Sequence, residues 1–284
     1  MSSSRTKLVL LGTGNPNPDP AHLGCASLIL VDGTPYLVDF GAGVVRQAAA
    51  VTREYGGAVE GLEIKNLSLA FLTHLHSDHT AGYPDLILTP WVMGRDRPLE
   101  VYGPPGIAEM SKNVLAAYQE DINYRLDGTE PANDQGWRVN AHEIEQGLVY
   151  KDRSVAVEAF LVDHGGMPNA FGFHFTTPDK VIVLSGDTAP CENMLQYGQG
   201  ADILVHEVYS ERGFLAKDDA WQRYHAAHHS STSQLAEIAD KTQPGLLVLN
   251  HVLFWGSSEG EILDEIAREY DGDVALGADL QIFE

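Results

Sequence analysis

Hydrophobic positions in this chain fall in short blocks that switch between the two-residue period of a strand and the 3.6-residue period of a helix. Residues 7–11 read as a first strand that ends at Gly12, and the Gly- and Pro-rich stretch 12–20 predicts a fixed turn. Residues 26–31 and 36–40, separated by Asp32-Gly33-Thr34-Pro35, predict a hairpin. Gly41-Ala42-Gly43 opens a helix through about Arg53, with Val44, Val45, Ala48 and Val51 on one stripe. The run 67–72 is a strand, 82–91 a short helix ending near Gly94, and 99–102 a strand. Gly103-Pro104-Pro105-Gly106 then turns into a helix to about Glu120. Residues 121–153 are mixed and polar and offer no domain boundary. Further on, 155–162, 171–176, 181–184, 203–206 and 246–249 read as strands, with a helix over 232–241 before the last. Strands alternate with helices, no solenoid period is visible, and one α/β domain spanning 1–284 is expected.

Composition narrows the class. With 44% hydrophobic residues the chain can bury a large core. The longest early apolar run, Leu8-Val9-Leu10-Leu11, is too short for a signal-peptide core or a membrane span, so a cytoplasmic protein without membrane association is expected. Cys25 and Cys191 have no C-x-x-C context, which argues against a disulfide framework or a cysteine zinc knuckle. The net charge of −22, from 18 Lys+Arg against 40 Asp+Glu, repels polyanions and counts against a nucleic-acid substrate held by a broad basic face. A small anionic ester remains compatible, because buried metal ions would offset the charge locally.

The chemistry concentrates in Thr73-His74-Leu75-His76-Ser77-Asp78-His79, directly after the strand at 67–72. His74 and His76, two apart on extended backbone, point the same way and can grip one ion, while Asp78 and His79 follow a turn and can face a second. His164, Asp187 and His251 each follow a predicted strand. The pattern His-x-His-x-Asp-His resembles the signature of the metallo-β-lactamase superfamily, which implies a four-layer αββα sandwich with a dinuclear site at strand ends. The resemblance puts His74, His76 and His164 on the first metal and Asp78, His79 and His251 on the second, with Asp187 bridging. The implied cofactors are two divalent ions, zinc first, with Mn or Fe also accepted by His/Asp sites. A hydroxide bridging them would be the nucleophile.

The ligand set also discriminates between branches. Oxygen-reducing di-iron members carry Glu where this chain has His76, and β-lactam-hydrolysing members lack the bridging carboxylate that Ser185-Gly186-Asp187-Thr188 supplies. Val205-His206-Glu207 and His228-His229-Ser230-Ser231-Thr232 resemble the His-Glu and His-Ser-Thr motifs of the ribonuclease Z-like group, with Ser231 standing where Thr is usual. There the histidine, oriented by the Glu, protonates the leaving oxygen. His229 matches better than His228 by position. The alternative is that Ser230 or Ser231 caps the helix while both histidines are solvated. The catalytic set implied is therefore Asp78, His229 and Glu207. Only 22 residues separate His164 from Asp187, too few for a tRNA-binding arm. The first expectation is accordingly a phosphodiesterase or arylsulfatase. tRNA 3′ processing and a non-catalytic metal-stabilised binding protein are the alternatives, and the resemblance also allows a homodimer. Tyr83, Trp91, Phe254 and Trp255 could line an apolar pocket or belong to the core.

Overall fold

The computed structural model describes residues 4–284, which form two compact units: the chain up to Ile144 together with Asp279–Glu284, and Glu145–Ala278. The polar stretch that offered no boundary in the sequence contains the division at 144/145. None of its helices, among the described residues, is long and apolar enough to cross a membrane.

The first unit is built on seven strands: β1 (Thr6–Gly12), β2 (Ala26–Val31), β3 (Thr34–Val38), β4 (Leu69–Phe71), β5 (Leu99–Gly103), β6 (Val139–Glu143) and β14 (Ile282–Phe283), in the order β14-β1-β2-β3-β4-β5-β6. β14, β1, β2 and β3 pair antiparallel, and β3 to β6 pair parallel. The hairpin turn is tighter than its sequence suggests. Val31 pairs with Thr34, leaving only Asp32 and Gly33 in the loop, both at positive φ (49° and 81°), as a two-residue turn matching strand twist requires. Pro35 is tolerated in β3 because β3 meets β4 only at Leu37 and Val38.

Helices α1 (Val44–Ala50), α2 (Ser77–Thr80), α3 (Tyr83–Val92), α4 (Ile107–Ala117) and α5 (Gln119–Asp127) follow the strands. α1 ends three residues before the expected Arg53. The Val59 amide donates to the Val51 carbonyl at 2.9 Å, and Thr52 bridges Val59, which draws two β-branched residues out of the helix. α1 and α3 bury Val44, Val45, Ala48, Leu86 and Ile87 against the apolar face of the sheet. Tyr83 belongs to that core, and Trp91 is buried with its indole N–H on the Asn133 carbonyl, so neither is free to line a pocket.

The second unit repeats the scheme. β7 (Gly147–Lys151), β8 (Ala156–Leu161), β9 (Phe171–Thr176) and β10 (Val181–Leu184) form an antiparallel meander, and β11 (Ile203–Tyr209), β12 (Leu247–Leu253) and β13 (Val274–Leu276) extend it in parallel. α6 (Glu192–Tyr197), α7 (Glu211–Leu215), α8 (Asp219–His228), α9 (Thr232–Thr242) and α10 (Glu259–Ile266) supply its helices. Leu235, Ala236, Ile238 and Ala239 of α9 enter the core with Leu204, Leu247 and Ile262. The parallel-paired strands β4 and β10 end just before His74 and Asp187, the ordinary place for a site in such sheets, while His251 lies within β12.

Candidate metal centre

In the first unit the site starts from a carboxylate that the sequence reading passed over. Asp39 leaves β3 at φ 60° and is buried. Its Oδ1 accepts from the Thr73 amide at 2.8 Å, and the Thr73 hydroxyl donates to it at 3.0 Å. That hydroxyl has one proton, so it meets His74 Nδ1, 3.0 Å away, as an acceptor. His74 therefore keeps its lone pair on Nε2, which lies 3.0 Å from His76 Nδ1. The other Asp39 oxygen accepts from His79 Nδ1 at 2.8 Å, leaving His79 Nε2 as the donor atom, 3.5 Å from Asp78 Oδ2. One buried carboxylate thus sets the tautomers of two histidines, an arrangement typical of metal-ligating imidazoles. Its signal in the sequence was a lone acid inside the apolar run Leu37-Val38-Asp39-Phe40.

α2 is the turn that carries Asp78 and His79, the His79 ring lying 4.2 Å from that of His74 by centroids, and a cleft of about 410 Å³ opens beside Asp78. The cleft is lined by Asn15, Asn17, His22 and Gly43 among others. Asp279 fixes its Gly- and Pro-rich wall, accepting from the amides of Thr13 (2.9 Å) and Leu23 (2.8 Å).

In the second unit, His164 follows β8 and donates through Nδ1 to the His228 carbonyl at 2.8 Å, which again puts the ring's lone pair on Nε2, as in a ligand-competent tautomer. Gly165 makes that approach possible, since a Cβ there would lie 1.9 Å from the His228 ring, at φ 61°. Asp187 follows β10 through Gly186 (φ 62°) and presents Oδ2 3.5 Å from His251 Nε2. His251 owes its direction to a bulge. Glu207 pairs with Asn250 and Val208 with Val252, so His251 is the extra residue, in the left-handed region at φ 49°. A strained non-glycine residue at a candidate ligand position is characteristic of functional sites.

Glu207 and His229 form the remaining constellation. Glu207 Oε1 accepts from the amides of Ser230 (2.8 Å) and Thr188 (3.3 Å), and Oε2 lies 3.3 Å from His229 Nδ1. Glu207, His229 and His251 present donor atoms within 4.8 Å of one another. His228, in contrast, sends Nδ1 to the Tyr224 carbonyl and stacks on the Tyr224 ring. Ser231 does cap α9, in a capping box with Gln234, yet His229 is buried beside Glu207 rather than solvated. Burial pushes the His206 imidazole below its ordinary pKa, and burial followed by the neighbouring His229 brings His225 down to about 4.

The Beta-lactamase superfamily domain matches residues 29–252 of this chain. A Ribonuclease Z of Mycobacterium sp. (strain KMS) is 35% identical over 283 residues, covering 96% of this chain and 94% of that protein. The Ribonuclease Z of Mycobacterium bovis (strain BCG / Pasteur 1173P2) is 34% identical over 285 residues, covering 96% of each. Among solved structures, the metallo-beta-lactamase fold protein YhfI from Bacillus subtilis superposes with a TM-score of 0.75 at 17% identity, over 99% of this chain and all of the other. The short form of human tRNase Z follows at 0.69 and 21% identity, over 98% of both chains. With two mixed sheets, their helices and a His/Asp donor set at the strand ends, the chain has the metallo-β-lactamase fold and belongs to the ribonuclease Z-like branch of that hydrolase superfamily.

Proposed function

We propose that this chain is a dinuclear metal-dependent phosphodiesterase of the ribonuclease Z kind, acting on an RNA phosphodiester, and that both units together make its single domain. By their motif positions, His74, His76, His164 and Asp187 would hold one ion, and Asp78, His79, Asp187 and His251 the other. The donor set fits: His74, His79 and His164 each have Nδ1 engaged by a hydrogen-bond acceptor and Nε2 left to coordinate, and the carboxylates are hard donors suited to Zn²⁺, Mn²⁺ or Fe²⁺. Zinc is the first choice, and PqqB from Methylobacterium extorquens, a structural neighbour (TM-score 0.64, 15% identity), is Zn(2+)-bound. Divalent ions at such a site supply Lewis acidity and lower the pKa of water.

The observation that carries the reading is the Glu207–His229 pair beside His251. Glu207 Oε2 faces His229 Nδ1 at 3.3 Å, an ion-pair distance for a protonated imidazole, whose Nε2 then carries the proton to be given up. An alkoxide leaves a phosphodiester poorly unless protonated, and a positioned imidazolium meets that need. Glu207 is itself fixed by two backbone amides, so the pair is oriented before substrate arrives.

The short His164–Asp187 interval was the sequence argument for ranking aryl esters above RNA. The mycobacterial relatives count against that ranking: they bear the name Ribonuclease Z, and the alignment covers 94% of the length of the Mycobacterium sp. (strain KMS) protein. The net charge of −22 favours a small phosphodiester as the second reading. Precursor tRNA with a 3′ trailer, bis(p-nitrophenyl) phosphate and p-nitrophenyl sulfate, assayed on one metal-replete preparation, separate the cases. The expected order is cleavage of both phosphodiesters and not of the sulfate. Sulfate turnover without phosphodiester turnover would refute the proposal.

A further inference from the structure

Helix α8 exposes two large aromatic rings that the core does not use: Trp221 is 54% exposed and Tyr224 41%. Each lies four residues before a histidine and is stacked on it. Trp221 is nearly parallel to His225 (21°, centroids 5.5 Å), and Tyr224 to His228 (25°, 4.0 Å). Three further features tie this face to the chemistry. The His228 carbonyl holds His164 Nδ1, and the His228 ring meets the His164 ring edge-on at 5.1 Å. His229, the proposed proton donor, is the next residue after the helix, with its ring 5.7 Å from that of His225. Finally, His225 is buried to about nine-tenths, and its Nδ1 has no hydrogen-bond partner among the described residues, so the helix offers a polar atom not spent on the fold.

Charge supports the same use. Residues 211–228 carry three Lys/Arg (Arg212, Lys217, Arg223) against three Asp/Glu, whereas the whole chain carries 18 against 40. Lys217 sits over the Trp255 ring at 4.1 Å, and Trp255 packs on His225 at 4.3 Å. Flat rings interleaved with cations, on a segment without the acid excess of the rest of the chain, are a means by which unpaired bases are bound without sequence readout.

We propose that the outer face of α8 is a stacking platform that receives an unpaired nucleobase of the substrate strand, next to the scissile phosphodiester. This rests on the phosphodiesterase reading and names the substrate feature that the acidic surface leaves available for recognition. Its test measures binding, so it is independent of turnover. The metal-loaded full-length protein is titrated by calorimetry with 5′-AMP, ribose 5-phosphate and phenyl phosphate, three phosphate monoesters that differ in the ring. A base stacked on an aromatic face should make 5′-AMP bind roughly ten-fold tighter than ribose 5-phosphate. That ratio should fall to near one in Trp221→Ala/Tyr224→Ala and persist in Trp221→Phe/Tyr224→Phe, which a merely structural role of the two rings would not produce. Equal affinities for 5′-AMP and ribose 5-phosphate in the native protein, or a ratio unchanged in the alanine variant, would overturn the platform. Tighter binding of phenyl phosphate than of 5′-AMP would reassign the face to a small aryl ester and overturn the nucleobase. Failure of the catalytic reading is seen separately, as absence of phosphodiester cleavage by the same preparation.

Discussion

Replacing Glu207 by Gln isolates the proton-donor role more cleanly than deleting His229. The side chain keeps its shape, and its carbonyl oxygen can retain the Ser230 and Thr188 amides at 2.8 and 3.3 Å. The NH₂ group then falls on the Oε2 side, 3.3 Å from His229 Nδ1, where the carboxylate had faced it. A donor now faces a donor, so His229 turns its lone pair toward the new amide and loses the anion that stabilised its charged form. With both backbone bonds retained, the stability cost is about 1 kcal/mol. The catalytic cost is the contribution of a general acid, about 10²–10⁴-fold, or roughly 2.7–5.5 kcal/mol at 1.36 kcal/mol per decade. It should be felt in full by an RNA phosphodiester, whose leaving group is an alkoxide. For bis(p-nitrophenyl) phosphate, whose leaving group departs unprotonated, the loss should stay below about ten-fold. The assay is kcat/KM for both substrates in native and Glu207→Gln protein at matched metal content. Equal losses for the two leaving groups, or none for RNA, would refute the reasoning.

Four further outcomes follow from the geometry. Asp39→Asn removes the charge that orders His74 and His79, and should weaken metal affinity about 10–100-fold in chelator competition while the fold persists. Gly165→Ala forces a Cβ into the His228 ring at positive φ, and should cost about 1–3 kcal/mol in denaturant unfolding together with metal retention at His164. Arg95 is fully enclosed, donates to the carbonyls of Leu67, Leu86, Ile87 and Gly136, and is drawn down by burial to about 10, so it remains charged at neutral pH. Arg95→Leu should lower stability by about 3 kcal/mol or more, seen as a Tm drop of several degrees, with metal content unchanged. His225 is held near pKa 4 in the fold against 6.5 when unfolded. Its neutral form therefore adds stability that is complete above about pH 6.5 and is lost as pH falls toward about 4. In His225→Phe, the fall in unfolding free energy between pH 7 and pH 5 should be smaller than in the native protein.

The sequence is most informative where chemistry and periodicity coincide. The histidine cluster after β4 and the acid after β10 stand at strand ends that short apolar runs predict, whereas β12 continues past the expected end at 249 to Leu253 and carries His251 inside the strand. His229, singled out by its motif position, lies 3.3 Å from Glu207. Residues that act on other residues were harder to read. Asp39 lies inside an apolar run, and its two histidines are 35 and 40 positions away. Arg95 is an exposed type by composition. It is buried because Pro90, inside α3, has no N–H for the Leu86 carbonyl, and the guanidinium supplies one instead. The bulge at His251 depends on the pairing of β11 with β12 and has no local signature. Elements in 121–153 escaped because α5 and β6 are polar and β7 is short, all three being half-exposed, so neither helical nor strand periodicity is marked.

The number of ions bound per chain decides whether the proposed centre is dinuclear. Native protein saturated with Zn²⁺ and freed of excess should contain two ions per chain by elemental analysis. Asp187→Ala, which removes the carboxylate proposed to serve both, should retain one or none. One ion in the native protein, or two in the variant, would contradict a dinuclear centre built from these residues.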